Sequence, residues 1–555
     1  MEHDFLIVGG GTAGAVLAAR LSENAAHRVL LAEAGGDVSA SDAPADIRDA
    51  FPTATLNPGY FWSGLTAASK DGEAQAPYPQ ARVLGGGSAI NGMFALRGVP
   101  SDYARWADSG AGDFSWEKVL PYFHRIENDH DRPGVKGGLH AVSRIPKTQW
   151  PSFARSMATA AQRHGWPFID DINEQPGDGF FSMPNAIDTD ARVTTAGCYL
   201  TAAVRARPNL DIWTNTQVTR LHLIDKRVCC VEAVRNGLRI QLHPRRVVLS
   251  GGGIHSPAIL LRSGIGHGRA LAALGIDVSL DLPGVGRNLQ NHPYAFFALT
   301  LPRGKRMPTA LRRFAVAGMR SSSRLPGAPA GDLFNFVIGR VSGEAFGPSF
   351  ALVGSALYAP KSRGSVTLAS ADPSEHPVVN FRFLSEPSDA PRMLLALRRA
   401  ESLLREPDVS CEFQEAFLLP GALSVKQFNR PGIAGKALSL AASAASNAPG
   451  FLRRTIFGHA FKSGGPVVYR GGHRTISDEQ ILTSISPMGH PTSTCAMGRS
   501  DNPLAVVDDG FRVHGSHNLF VADASVMPSI PSANTNLPTL MLAEVAAERI
   551  ASLSI

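Results

Sequence analysis

Three stretches of this chain carry residues whose types and spacing suit chemistry. The first is Gly9-x-Gly11-x-x-Gly14, with Glu33 placed 24 positions after its first glycine. That spacing allows a tight turn at Gly9, close approach of backbone to a pyrophosphate at Gly11, and close helix–strand packing at Gly14. Glu33 can accept hydrogen bonds from adenosine ribose hydroxyls, and its charge disfavours a 2′-phosphate, which argues against NADP. The motif leaves FAD and NAD both open. The second stretch is Gly85-Gly86-Gly87-Ser88, with Asn91 just beyond. Consecutive glycines bring bare backbone against something large and flat. An isoalloxazine ring fits that need, and Asn91 could hydrogen-bond its edge. Ser88 is not read as a hydrolase nucleophile, because Ile90 stands where the G-x-S-x-G elbow needs glycine. The third is His490, held between Gly489 and Pro491. Those neighbours exclude a helix interior and indicate a shaped loop. On the residues alone, one histidine among 17 is more readily structural than catalytic.

These groups need elements to position them. Phe5-Leu6-Ile7-Val8 is an apolar run of the kind a buried parallel strand requires. Residues 15–22 read as a helix and 28–32 as a second strand ending at Glu33. A helix N-terminus there would present unpaired N–H groups and a positive dipole end to phosphates. A glycine-rich loop without a ligand is the simpler alternative, but strand, helix, second strand and terminal acid together favour a dinucleotide site. Near the C-terminus, residues 537–552 predict a helix with Pro538 in its first turn and Asn536 as a possible cap. Leu537, Leu540, Met541 and Val545 would form its apolar face. Its N-terminus would lie close to Asn534 and could stabilise nearby negative charge. Residues 37–80 read mainly as loop.

The composition is that of a globular protein: 555 residues, 44% hydrophobic and 18% charged, with 55 glycines. That length exceeds one simple core, so two domains, possibly interleaved, are expected. No apolar run reaches the ~20 residues needed to span a bilayer. The first strand starts almost at Met1, leaving no room for a signal peptide, so a cytoplasmic location is expected. The five cysteines are scattered without a C-x-x-C pair, which disfavours zinc or a disulfide framework, and no metal site is expected. The net charge of +7 could favour an anionic surface or substrate, though it is more simply a solvated face. No nucleic-acid module or internal repeat is evident.

Residues 82–98, with Asp102, Tyr103 and Trp106 after them, resemble the first signature of the glucose–methanol–choline (GMC) flavin oxidoreductase family. The likeness continues through residues 116–127 (WEKVLPYFHRIE) and 192–210, and Val218 sits where the family places a backbone contact to adenine. Residues 252–266 (GGIHSPAILLRSGIG) resemble the second signature, with Gly253 where a small residue such as Ala or Ser is usual. Residues 282–293 (LPGVGRNLQNHP) also match, except that Asn291 replaces the usual Asp, keeping size and acceptor but losing charge. The run around Thr492-Ser493-Thr494-Cys495-Ala496-Met497-Gly498 has Ser493 where glycine is more usual. Within the family, residues 533–544 (ANTNLPTLMLAE) most resemble bacterial oxidases of aromatic and furan alcohols.

The resemblance implies an α/β fold: a Rossmann-type FAD-binding domain interleaved with an α+β substrate-binding domain that contains an antiparallel sheet. It implies residues 1–298 as the FAD-binding region, 299–483 as mainly substrate domain, and 484–555 as a return to the FAD domain carrying the active-site pair. The implied cofactor is FAD, held by Gly9, Gly11, Thr12, Ala13, Gly14, Glu33, Trp62, Arg82, Val83, Gly85, Gly87, Ser88, Asn91, Gly92, Met93, Phe94, Val218, Asp523, Ala524 and Thr535. Ile90 stands where some members attach FAD covalently through histidine, so non-covalent FAD is expected. His490 would be the base that takes the proton of a primary alcohol, an imidazole role. Asn534 would hold and polarise the alcohol oxygen. Oxygen is the expected electron acceptor. A dehydrogenase using a quinone is the alternative, and a hydroxynitrile lyase a remoter one.

Two segments match the family poorly. Residues 303–330, rich in Arg among Pro, Ser and Gly, read as a substrate-domain flap or surface helix. Residues 358–384 resemble the sheet of the substrate domain, and a helix over Asp389–Arg405 follows. Residues 431–466 hold an Ala-rich helix candidate at 435–446 and then a basic, apolar run. That composition suits a membrane surface or a subunit contact, but a local insertion packed on the domain is the preferred expectation. The oligomeric state is not legible.

Overall fold

A computed structural model of the chain describes residues 3–38, 43–132, 134–344, 346–421, 429 and 432–553. Parts of the loop at 37–80 and residue 431 lie outside the described residues.

The first layer grows from the strand Phe5–Val8, apolar and fully buried as a central parallel strand must be. It pairs in parallel with Val29–Ala32 on one side and Arg246–Leu249 on the other. Leu210–Trp213 and Leu519–Val521 extend the edges, giving a five-stranded parallel sheet. The first helix spans Thr12–Leu21, beginning three residues before the predicted start. The glycines cause this: Gly11 is the N-cap, and Gly14 already lies inside the helix, where a Cβ would collide with the Gly9 carbonyl. The C-terminal helix Asn536–Ala551 packs on this first helix and is buried around most of its circumference, not along one face. Its one deeply buried acid, Glu544, accepts hydrogen bonds from Arg20 and Tyr199. Thr535, not Asn536, is the N-cap residue; the Asn536 side chain instead accepts from Thr12 Oγ1 at 2.8 Å, tying the two helix starts together.

The second layer is a ten-stranded, mainly antiparallel sheet. Its middle is Pro293–Thr300, Phe350–Leu357, Leu333–Ile338 and Ala315–Ser321. It also takes Phe168–Ile169 and Gly179–Ser182 from the N-terminal half and Ser486–Pro487 from the C-terminal segment. The sheet therefore cuts across the linear division at 298 and 483. The helix Asp389–Arg405 covers one face.

Segment 303–330 departs from its expectation. It holds a short turn of 3₁₀ helix and then the strand Ala315–Ser321, every residue of it buried. Arg320 lies in the interior and donates to the Ser532 carbonyl, and Arg312 pairs with Asp49. Within 358–384, the strands Ser365–Thr367 and Val378–Asn380 join Thr66–Ala68 and Ala76–Pro77 in a separate four-stranded sheet. Segment 432–460 forms two helices, Gly432–Ala445 and Gly450–Ala460, seated through Ala442 and Phe457 on an aromatic cluster with Phe350 and Phe417. Among the described residues no helix is long and apolar enough to cross a membrane.

Candidate active site

A cavity of about 490 Å³ runs from the glycine turn after the first strand to the C-terminal loops, at the carboxyl ends of parallel strands where α/β folds place ligands. Gly9 has φ +99°, and a Cβ there would sit 2.6 Å from the Ser250 carbonyl oxygen. At Gly11 a Cβ would meet only Gly86 Cα, at 3.8 Å, and at Gly87, Gly252 and Gly489 nothing within 4 Å. All four border the cavity, so bare backbone lines both ends of it. Glu33 is buried on its wall; the Gly10 amide donates to Oε2 and the Gly35 amide to Oε1, each at 2.7 Å. Burial pushes its pKa up, while these amides and Arg82 oppose the shift.

Val218 forms the opposite wall with His255, Ile259 and Arg262, which the spacing i, i+4, i+7 sets on one face of the helix Gly252–Arg262. His255 Nε2 and Arg262 Nε are buried without a hydrogen-bond partner. Trp62 packs on His255, ring centroids 4.3 Å apart, and the Arg82 guanidinium lies over the Trp62 ring, 4.8 Å from its centroid. A cradle of bare glycines, a buried acid at a ribose position and orphaned donors fit FAD.

Most of the predicted cofactor residues border this cavity: Gly9, Gly11, Thr12, Ala13, Glu33, Trp62, Val83, Gly87, Asn91, Gly92, Met93, Phe94, Val218, Asp523, Ala524 and Thr535. Gly14, Arg82, Gly85 and Ser88 do not. Gly14 packs against the Gly9 carbonyl, Gly85 makes a turn at φ +95°, and Arg82 covers Trp62. Ser88 is spent inside, donating to the Gly85 carbonyl and accepting from the Thr195 amide. Asp523 borders the cavity but directs its carboxylate to Gly252, Ser256 and Ser525, bracing two loops.

At the other end the structure brings together His490 and Asn534, with Asn534 Nδ2 donating to His490 Nε2 at 3.3 Å. Sequence reasoning missed what surrounds them. His490 Nδ1 lies 3.0 Å from Nδ1 of His292. His292 Nε2 lies 3.1 Å from the Tyr358 carbonyl oxygen. The Tyr358 hydroxyl donates to Asn534 Oδ1 at 3.0 Å and closes a circuit of four residues.

One atom sets the sense of the whole ring. A carbonyl oxygen can only accept, so His292 carries its proton on Nε2 and presents a bare Nδ1. His490 must then donate from Nδ1, which leaves its Nε2 as an acceptor facing Asn534 and the cavity. Asn291 supports the pair from beneath: its Oδ1 accepts from the His292 and His490 amides, and its Nδ2 donates to the Met488 carbonyl at 2.6 Å and to Tyr78 at 3.1 Å. Burial holds His490 down at about 4 and His292 well below its ordinary range. His490 is half-buried and borders the cavity. The signal for His292 was present, since it follows Asn291 in the LPGVGRNLQNHP run, but nothing local showed that it reaches His490.

Comparisons with known proteins identify the family. Residues 3–294 match the N-terminal region, and residues 360–543 the C-terminal region, of the GMC oxidoreductases. The chain is a GMC oxidoreductase. This GMC oxidoreductase uses FAD and acts on the CH–OH group of its donors. It is 36% identical to a 5-(hydroxymethyl)furfural oxidase of Methylovorus sp., over 99% of this chain and 98% of that protein. It is 32% identical to the mitochondrial choline dehydrogenase of Mus musculus, over 99% of this chain and 89% of that one. Among solved structures it superposes on pyridoxine 4-oxidase from Mesorbium loti with a TM-score of 0.82 at 27% identity, covering 100% of both chains. The second matched region runs across 431–466, a segment set apart by its motifs, whereas 303–330 lies between the two regions.

Proposed function

We propose that this GMC oxidoreductase oxidises an uncharged aromatic or furan-type primary alcohol to its aldehyde, with oxygen as the acceptor. The observation that carries this reading is the shared aim of His490 Nε2 and Asn534 Nδ2, 3.3 Å apart at the cavity wall beside Tyr294 and Phe94. A hydroxyl lying between them donates its proton to His490 and accepts from Asn534. The Asn534 amide then steadies the oxygen as it loses the proton. FAD, bound non-covalently along the glycine cradle, supplies the hydride acceptor for the carbinol carbon.

Substrate class follows from the lining. Phe94 packs near Phe314 and Phe336, and Tyr294 near Phe296, so flat apolar rings extend away from the reactive pair. Glu33 and Asp523 are the only carboxylates among the described lining residues, and both are engaged by amides or hydroxyls. No acid is left to hold a cation, which disfavours a choline-like substrate although choline dehydrogenases are among the relatives.

The test is the visible spectrum of the holoenzyme, followed anaerobically with aromatic, furan and aliphatic primary alcohols and with choline. Bleaching by the aromatic and furan alcohols, then recolouring in air with peroxide formation, is the expected result. Bleaching by choline alone would replace the substrate class. Recolouring by a quinone but not by air would replace the acceptor.

A further inference from the structure

The helix Gly432–Ala445 is amphipathic the wrong way round for a surface helix. Its buried side consists of small residues, Gly435, Ser439 and Ala442, and Ser439 Oγ is buried without a partner. Opposite them, at i, i+4, i+7 and i+11, Ile433, Ala437, Leu440 and Ala444 all point outward. Ile433 is 89% exposed and Leu440 63%. The following helix Gly450–Ala460 also exposes apolar side chains: Phe451, 75% exposed, with Leu452 and Ile456. Scattered exposed apolar residues need no explanation, but a contiguous outward stripe marks a contact surface.

Charge identifies the partner. Between Glu415 and Asp478 the chain contains not one Asp or Glu, while Lys436, Lys462 and Arg470 are exposed. A second copy of this segment would bring like charges together with no carboxylate within the segment to offset them. An anionic lipid surface instead satisfies the cations at its head groups and takes the apolar side chains just below them. We propose that the helix pair 432–460 docks this enzyme on anionic membranes, lying in the interface without crossing it. The inner side of the pair joins, through Ala442 and Phe457, the aromatic cluster that also contains Phe94 beside the cavity.

The experiment is co-sedimentation of the holoenzyme with phosphatidylglycerol-containing vesicles and with pure phosphatidylcholine vesicles, at low and high salt. Binding to the anionic vesicles that weakens with salt is expected. The double variant Ile433→Asp/Phe451→Asp should lower the partition coefficient at least about tenfold, and Lys436→Glu should lower it too. Turnover of a water-soluble alcohol should not change, because none of these residues borders the cavity. Failure to bind anionic vesicles, or equal binding by the double variant, overturns the proposal. So does a dimer in light scattering that the double variant dissolves, which would give the face to a second copy.

Discussion

His292 and His490 point Nδ1 at Nδ1 across 3.0 Å, so a single proton lies between the two rings. The Tyr358 carbonyl behind His292 assigns that proton to His490. The reactive nitrogen of His490 is thereby kept bare by a backbone oxygen two hydrogen bonds away. Nothing in the ring carries a formal charge, and that suits a partly buried site.

A base must be unprotonated to work, and burial holds the His490 imidazole at about 4. Activity should therefore persist below the ordinary imidazole range and fall only as pH drops through that value. A kcat/KM profile over acid pH checks this; an acid limb near 6.5 would contradict it. The same sign governs folding. His140 and His490, both held near 4, and His255, near 3, are neutral when folded and protonate more readily unfolded. Stability should decline as pH falls from about 6.5 towards 4. His490→Ala should cost about 10²–10⁴ in the rate of flavin reduction while leaving the flavin content intact.

His292→Phe keeps a ring stacked on Tyr358, whose centroid lies 4.4 Å from that of His292, but removes the acceptor for His490 Nδ1–H. His490 is then free to turn and to change tautomer. A loss of about 10–100-fold in kcat is expected, the scale seen when the partners of functional histidines are removed. ¹⁵N NMR of labelled histidine separates this from a merely structural defect. The wild type should show His490 protonated at Nδ1, and the variant a mixture.

Asn291→Asp restores the acid usual in the family and should harm this chain. The amide donates to the Met488 carbonyl and to Tyr78, and a carboxylate would oppose the carbonyl lone pairs. A stability loss of about 1–3 kcal/mol is expected in thermal unfolding. Any negative charge retained there favours imidazolium, so the acid limb of the pH profile should move to higher pH.

Two glycines of the first motif should fail differently. Gly11 has φ −73°, which any residue adopts, and its missing Cβ faces the cavity. Gly11→Val should fold with little loss of Tm in the apoprotein yet lose FAD. Gly9 combines φ +99° with a carbonyl 2.6 Å from a would-be Cβ, so Gly9→Ala should destabilise the apoprotein itself by about 1–3 kcal/mol. Calorimetry of the apoproteins with FAD titration distinguishes the two.

Local pattern carried much of this protein. The apolar run Phe5–Val8, the glycine spacing and Glu33 are neighbours in sequence and in space, so their physics was complete within about thirty residues. The helix Asp389–Arg405 was legible for the same reason, its apolar positions recurring with the helical period. His490 and Asn534 were legible as a pair through their flanking motifs. Segment 303–330 misled because its arginines suggested a solvated face. Arg320 and Arg312 find their partners at Ser532 and Asp49, more than two hundred positions away in either direction.

The sequence by itself therefore determined the nucleotide-binding half, through short-range sterics and spacing, and the cofactor class, through its family motifs; it also nominated His490 and Asn534 as a pair. Only the tertiary structure decided that Gly14, Arg82, Gly85 and Ser88 lie off the cavity lining, and that His292, Asn291 and Tyr358 surround His490. It alone turned the apolar stripe of Ile433 and Leu440 outward. Each depends on hydrogen-bond direction or burial set by segments far apart in the chain, and neither quantity is a property of a residue and its neighbours alone.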